Sequence, residues 1–221
     1  MRKQYSFENP VQITRTPKEV PLTVSIAENL NIMDEDVKLL ASLAAVLEYP
    51  TEDWNQRFEE CKELSLLSAD VSTDAFSDFC LKIRSLSLME LQELYTRTFD
   101  LKPMCALDVG HHLFGEDYKR GEFLANLKET EAPFDLGQEH QLPDFLPVLL
   151  RLLGYMENGE LRSSLVAVCL ISALEKMKAS FKDQEHPYKA VILFVSDVLK
   201  NVAEKSILEV DEMKNSRYQY A

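Results

Sequence analysis

The 221-residue sequence predicts an all-α protein, a single compact bundle of about eight to ten helices. Three observations carry that expectation. Glycine is scarce, with only 6 residues, while hydrophobic residues make up 46% of the chain and charged residues 28%, a globular balance tilted toward helix by abundant Leu, Ala, Glu and Lys. From Asp34 onward the apolar residues recur at three- and four-residue steps, the period of a half-buried helix. No internal repeat is visible, which argues against a TPR or HEAT solenoid.

The first stretch, residues 1–33, differs from the rest. Val11, Ile13, Val20, Leu22, Val24 and Ile26 show partial alternation, and Pro10, Pro17 and Pro21 break any helix, so an extended N-terminal arm is expected. The helical domain then spans 34–205. Asp34 caps a helix carrying Val37, Leu40, Ala41, Ala44 and Leu47, and Pro50 ends it. Thr51 caps a second, with Trp54, Phe58, Cys61 and Leu64 on one face; a third starts near Thr73 and shows Phe76, Phe79, Cys80, Ile83 and Leu86. Ser87 and Glu90 form a capping box, each side chain satisfying an unpaired N–H of the first turn. The helix behind it presents Leu91, Leu94, Tyr95, Thr98 and Phe99.

Pro103 interrupts, and a further helix carries Leu107 and His111 before Gly115. Another runs from near Glu116 to about Lys128, followed by a loop over Thr130–Leu142. Pro143 to Pro147 reads as a helix entrance, with Asn158-Gly159 as the stop. A long central helix is expected from Glu160 to about Ser180, and Pro187 opens the last, carrying Val191, Phe194, Val195, Val198 and Val202. Residues 206–221 read as a polar C-terminal tail.

The formal net charge is −13. Such a field repels phosphate backbones, so no nucleic-acid partner is expected. Cys61, Cys80, Cys105 and Cys169 are far apart, without zinc-finger spacing, and read as buried reduced thiols. The N-terminus has no apolar run behind its basic residues, and no apolar stretch is long enough to span a bilayer. A cytoplasmic protein without stable membrane association is the expectation.

Catalytic motifs are missing: no Walker-type phosphate loop, no dinucleotide fingerprint and no nucleophile elbow. The nearest approach to a metal site is a pair of Asp-x-x-His steps, Asp108 to His111 and Asp183 to His186. His111 and adjacent His112 point about 100° apart on a helix and cannot share one face. The simpler reading has Asp108 hydrogen-bonding a histidine one turn away. The acidic run of Glu48, Glu52, Asp53, Glu59, Glu60 and Glu63, with Asp70, Asp74 and Asp78 beyond, reads as a solvated face, or else as an attractor for a basic peptide. Neither an enzyme nor a resident cofactor is expected.

Two segments exceed what a generic bundle needs. Tyr95-Thr96-Arg97-Thr98-Phe99-Asp100-Leu101 leads into Ala106-Leu107-Asp108-Val109-Gly110-His111-His112-Leu113-Phe114-Gly115-Glu116. Arg120-Gly121 follows, then Leu142-Pro143-Asp144-Phe145-Leu146-Pro147. In order and spacing this set resembles the redox-enzyme maturation chaperones of the NarJ/TorD/DmsD family, on its NarJ-like branch. Phe145 departs from the His or Tyr more usual there. The resemblance covers the middle third of the chain.

The resemblance implies a system-specific chaperone. Its partner is the catalytic subunit of a molybdenum oxidoreductase, whose N-terminal leader, twin-arginine or a remnant of one, it binds and holds for cofactor insertion before export or membrane assembly. On that reading the peptide-binding residues are Tyr95, Phe99, Asp100, Leu107, Asp108, His111, His112, Phe114, Arg120, Pro143, Asp144, Phe145 and Leu146. Leu107, Phe114, Phe145 and Leu146 would be apolar anchors and Asp100, Asp108 and Asp144 acids.

Each has a plainer alternative: Tyr95 and Phe99 suit the core, Asp144 a helix dipole, and Arg120 a pair with Glu116. A monomer is expected, with a dimer by arm exchange left open. Two rivals remain, a helical metalloenzyme using Asp108, His111 and His112, and a general protein-interaction adaptor.

Overall fold

The structure is a computed structural model that describes residues 34–67, 72–101, 105–156, 159–182 and 185–218. The arm predicted over 1–33, Pro103, Asn158 and Asp183 all lie outside the described residues. The protein is all-α, with nine continuous helices among the described residues.

Helix α1 (Asp34–Val46) sits at the centre, packed by α2 (Trp54–Leu67), α7 (Leu146–Leu152) and α10 (Pro187–Tyr218). Its buried stripe is Leu39, Leu40, Leu43 and Ala44, with Val46 and Leu47 closing the C-terminal end. That stripe is wider than the predicted one because three neighbours cover it. Helix α3 (Asp74–Ile83) packs on α10. Aromatic rings tie these helices together: Trp54 stacks on Phe58 at 5.0 Å, Phe58 meets Phe76 and Phe79, Phe76 reaches Phe194 at 5.3 Å, and Phe79 reaches Tyr188. Such pairs add roughly 0.5–1.5 kcal/mol each beyond the area they bury.

Helix α4 (Leu88–Tyr95) begins with the predicted capping box, in which Glu90 N donates to Ser87 Oγ and Ser87 N donates to Glu90 Oε2 at 2.8 Å. It continues without a break into a π-helical turn, Thr96–Asp100, closed by Leu101 N donating to the Thr96 carbonyl at 3.0 Å. Widening the helix there buries Thr98 and Phe99 while Asp100 is left exposed. Periodicity alone does not reveal a π turn, and such turns often mark functional positions.

Several boundaries differ from the sequence reading. Helix α5 (Val109–Phe114) excludes Leu107, which precedes its extended N-cap Asp108, and α6 starts at Lys119 and runs to Glu131. Gly159 opens helix α8 (Gly159–Ser164) instead of stopping its predecessor, which ends at Leu152. Helix α8 runs through a π segment (Leu165–Leu170) into α9 (Ile171–Ser180), so the long central helix is present with an insertion in it. At the C-terminus the backbone of α10 stays helical to Tyr218, where a polar tail is expected from residue 206. No helix among the described residues is long and apolar enough to cross a membrane.

Candidate functional site

The two motif segments are joined by main-chain pairing. Asp108 and Phe145 form an isolated antiparallel bridge, with Val109 N donating to the Asp144 carbonyl at 2.8 Å and Leu146 N to the Leu107 carbonyl at 2.9 Å. Asp144 itself is 0% exposed. Its Oδ2 accepts from Gly110 N at 3.0 Å and Arg120 Nε at 3.1 Å, and Arg120 Nη2 lies 3.1 Å away.

A Cβ built on Gly110 would stand 2.6 Å from that oxygen and 3.1 Å from the Phe123 ring, so the close approach requires glycine. Burial, with the Asp108 charge behind it, pushes the Asp144 carboxyl up, and Arg120 pulls against this. Nearby Glu131 is also buried, and desolvation, with Asp144 as a lesser cause, pushes it up to about 7.

This geometry corrects several expectations. Asp144 is a buried tether and not a rim acid, and Arg120 pairs with it instead of with Glu116. Leu107, Phe145 and Leu146, offered as anchors, are core residues. Phe145 is the least enclosed of them, at 9%. Phe99 packs on Tyr188 at 4.7 Å. The contact between Asp108 and His111 is main-chain, His111 N to the Asp108 carbonyl at 3.1 Å. His112 is half-buried with its Nε2 2.8 Å from the Ala106 carbonyl, and burial lowers its pKa. Phe114 and Pro143 are half-buried, the former against Phe123, and His111 is exposed. Among the described residues no group of three or more His, Cys, Asp or Glu is placed to hold a metal ion.

A separate cleft of about 530 Å³ opens where three parts of the chain converge. The α1–α2 connection supplies Glu48, Tyr49, Thr51 and Asp53, and α2 supplies Arg57. Tyr95 and Asp100 come from the two ends of the region where α4 turns π-helical, and Gly137, Gln141 and Phe145 from the loop before α7. Tyr95, Asp100 and Phe145, all predicted site residues, are thus brought together, while the other predicted residues lie elsewhere.

The walls are held by charge pairs. Arg57 donates to the Ala45 carbonyl at 3.1 Å, lies 3.1 Å from Asp53 Oδ1 and 3.5 Å from Glu48 Oε2, and also meets Thr51 Oγ1. Glu48 is shared with Arg151, whose Nη1 is 2.7 Å from it and 3.1 Å from the Leu136 carbonyl. One network therefore joins α1, α2, α7 and the loop. The Tyr95 hydroxyl donates to the Leu47 carbonyl at 3.2 Å, and its ring meets Tyr49 edge-on at 5.5 Å. Burial first, then the Asp100 charge, raises the Tyr95 phenol far above its usual range, so it stays a neutral donor.

Asp100 differs from the other two carboxylates. No cation or hydrogen-bond donor engages it among the described residues, and partial desolvation raises its pKa. Tyr49 of the lining is 46% exposed, and Leu101 and Leu142, next in sequence to the lining residues Asp100 and Gln141, are 73% and 49% exposed. Exposed apolar side chains beside a carboxylate that has no partner among the described residues suit a ligand that combines apolar and cationic groups. Arg57 was missed by sequence reasoning, and Glu48 and Asp53 entered it only as members of the acidic run. The acidic run was a signal, but an acidic helix face in solvent looks the same in one dimension.

No protein-family model matches the chain. Among curated proteins, it is 26% identical over 182 residues to the probable nitrate reductase molybdenum cofactor assembly chaperone NarJ of Bacillus subtilis, covering 81% of this chain and 97% of that protein. It is 25% identical over 172 residues to the probable nitrate reductase molybdenum cofactor assembly chaperone NarW of Escherichia coli K12, covering 77% of this chain and 70% of the relative. The nitrate reductase molybdenum cofactor assembly chaperone NarJ of the same strain is 26% identical over 172 residues, with 76% and 70% covered.

Proposed function

From the premise that the chain is NarJ-like over most of its length, we propose that it is an assembly chaperone for a molybdenum oxidoreductase and not an enzyme. Its client is the catalytic subunit, held in the cytoplasm until the molybdenum cofactor is in place. The segment it holds is the client's N-terminal leader, a peptide with basic residues beside an apolar stretch. The cleft between Tyr49, Tyr95, Asp100 and Phe145 is the receptor.

One observation carries the placement: Asp100, unengaged among the described residues, lines a cleft together with Tyr95 and Phe145, and the neighbouring Leu101 and Leu142 are exposed. A peptide cation would find a charge partner there, and its apolar residues would cover that exposed surface. Because a flexible peptide must be ordered, the affinity expected is modest, on the order of micromolar, or about −8 kcal/mol. Such a complex releases its client readily.

Calorimetric titration with synthetic leaders of molybdoenzyme catalytic subunits tests this. Binding should weaken as salt rises, because an accessible ion pair is screened. A panel of leaders that all fail to bind at low salt removes the reading.

A further inference from the structure

The cleft has a second candidate occupant in the same chain. Among residues 1–18, Arg2, Lys3, Arg15 and Lys18 are basic and only Glu8 is acidic, although the whole chain has a net charge of −13. Val11 and Ile13 lie between those basic pairs. The composition, cations beside a short apolar stretch, is the one the cleft is read as taking from a client. We infer that residues 1–18 of the chain itself compete for the cleft, as an intramolecular occupant that a client leader must displace. The inference rests on the proposed reading of the cleft as a receptor for basic, apolar peptides.

Reach permits it. Glu48 and Tyr49 follow the C-terminal end of α1, whose 13 residues make about 20 Å at 1.5 Å per residue. Residues 19–33 separate Lys18 from the start of that helix at Asp34. Extended, such a segment spans up to about 50 Å, more than twice the length of α1. Arg15 and Lys18 therefore have slack to spare. Within the cleft, Glu48 and Asp53 are already engaged by arginines, which leaves Asp100, unengaged among the described residues, as the acceptor of an incoming cation.

Tethering changes the arithmetic. A short tether holds its end at a local concentration on the order of a millimolar. A segment with an intrinsic dissociation constant on the order of 0.1 mM would then occupy the cleft about nine-tenths of the time, and weaken an external peptide's apparent affinity about tenfold. The effect is a filter: peptides no better than the chain's own segment are turned away.

Carbodiimide coupling of the full chain, with no peptide added, tests the docking directly. The reagent activates a carboxylate, a lysine amine attacks it, an amide forms, and the carbodiimide leaves as its urea. The expected product joins Lys3 or Lys18 to Asp100 or Glu48 within the monomer. The Asp100 product should disappear in Asp100→Asn, and coupling should fall in high salt.

The competition is read separately. A full-length chain with Arg2→Ser, Lys3→Ser, Arg15→Ser and Lys18→Ser should bind a synthetic leader about tenfold more tightly than the unaltered chain. Absence of these cross-links, their confinement to dimers, or an unchanged leader affinity in the neutralised chain would each overturn the inference. The two readings fail separately. Equal leader binding by both chains sinks the competition alone, whereas intramolecular cross-links with no leader binding to either chain sink the client reading and leave the docking standing.

Discussion

The Oδ2 atom of Asp144 sits 3.0 Å from the main-chain nitrogen of Gly110, a contact across 34 residues of sequence that no side chain at position 110 would permit. It staples the start of α5 to the entrance of α7, and Arg120 of α6 closes the same carboxylate from a third helix. The cleft-lining Phe145 is the next residue in the chain. The position of that cleft wall is therefore set by a buried charge.

Gly110→Ala should destabilise the protein by about 1–3 kcal/mol, the usual cost of forcing a group into filled space. Gly121→Ala is the matched control, since a Cβ there meets nothing within 4 Å. It lies inside α6 and should be neutral or stabilising by up to about 1 kcal/mol. Urea denaturation of both variants checks the contrast, and equal effects would contradict it.

Asp144→Asn keeps a group able to accept from Gly110 but leaves the half-buried Arg120 without its counter-charge. Removing one partner of such a buried pair costs roughly 3–5 kcal/mol, with the lower end expected because Arg120 is partly exposed. A double-mutant cycle with Arg120→Met should show strong coupling between the positions. Additive effects would mean the pair is not what holds the two segments.

Glu131 predicts a pH signature. Its folded pKa of about 7 lies above its ordinary value of 4.5, so the folded state holds the proton more tightly than the unfolded chain. Stability from this group is fully present below about pH 4.5 and is lost as the pH rises through 7. Glu131→Gln should remove that loss. The variant should gain on the unaltered protein between pH 5 and 8, by something on the order of 2 kcal/mol, in denaturation series run at each pH. Parallel curves would show that Glu131 does not titrate in this range.

Asp100→Asn separates binding from folding. Asp100 is exposed and unengaged among the described residues, so stability should change by less than about 0.5 kcal/mol. Leader affinity should fall several-fold, and its salt dependence should flatten with it. Calorimetry at two ionic strengths measures both. An affinity unchanged by the substitution would remove Asp100 from the receptor.

The sequence by itself determined the all-α class and the run of helices, because a 3.6-residue apolar period and a capping box such as Ser87 with Glu90 are local properties of the chain. It also named Tyr95, Asp100 and Phe145, among thirteen candidate site residues. Their meeting was decided only by tertiary structure, as was the inclusion of Glu48, Asp53 and Arg57 beside them. Periodicity states which face of a helix seeks cover but not which neighbour covers it.

For the same reason Asp144 looked like a surface acid at a helix start, and Arg120 like a partner for Glu116 one turn away. Local spacing offers each charge its nearest partner along the chain. Packing assigned Arg120 to Asp144 instead, because a carboxylate enclosed between α5, α6 and α7 needs a cation within reach, while Glu116 stands exposed where water serves it as well.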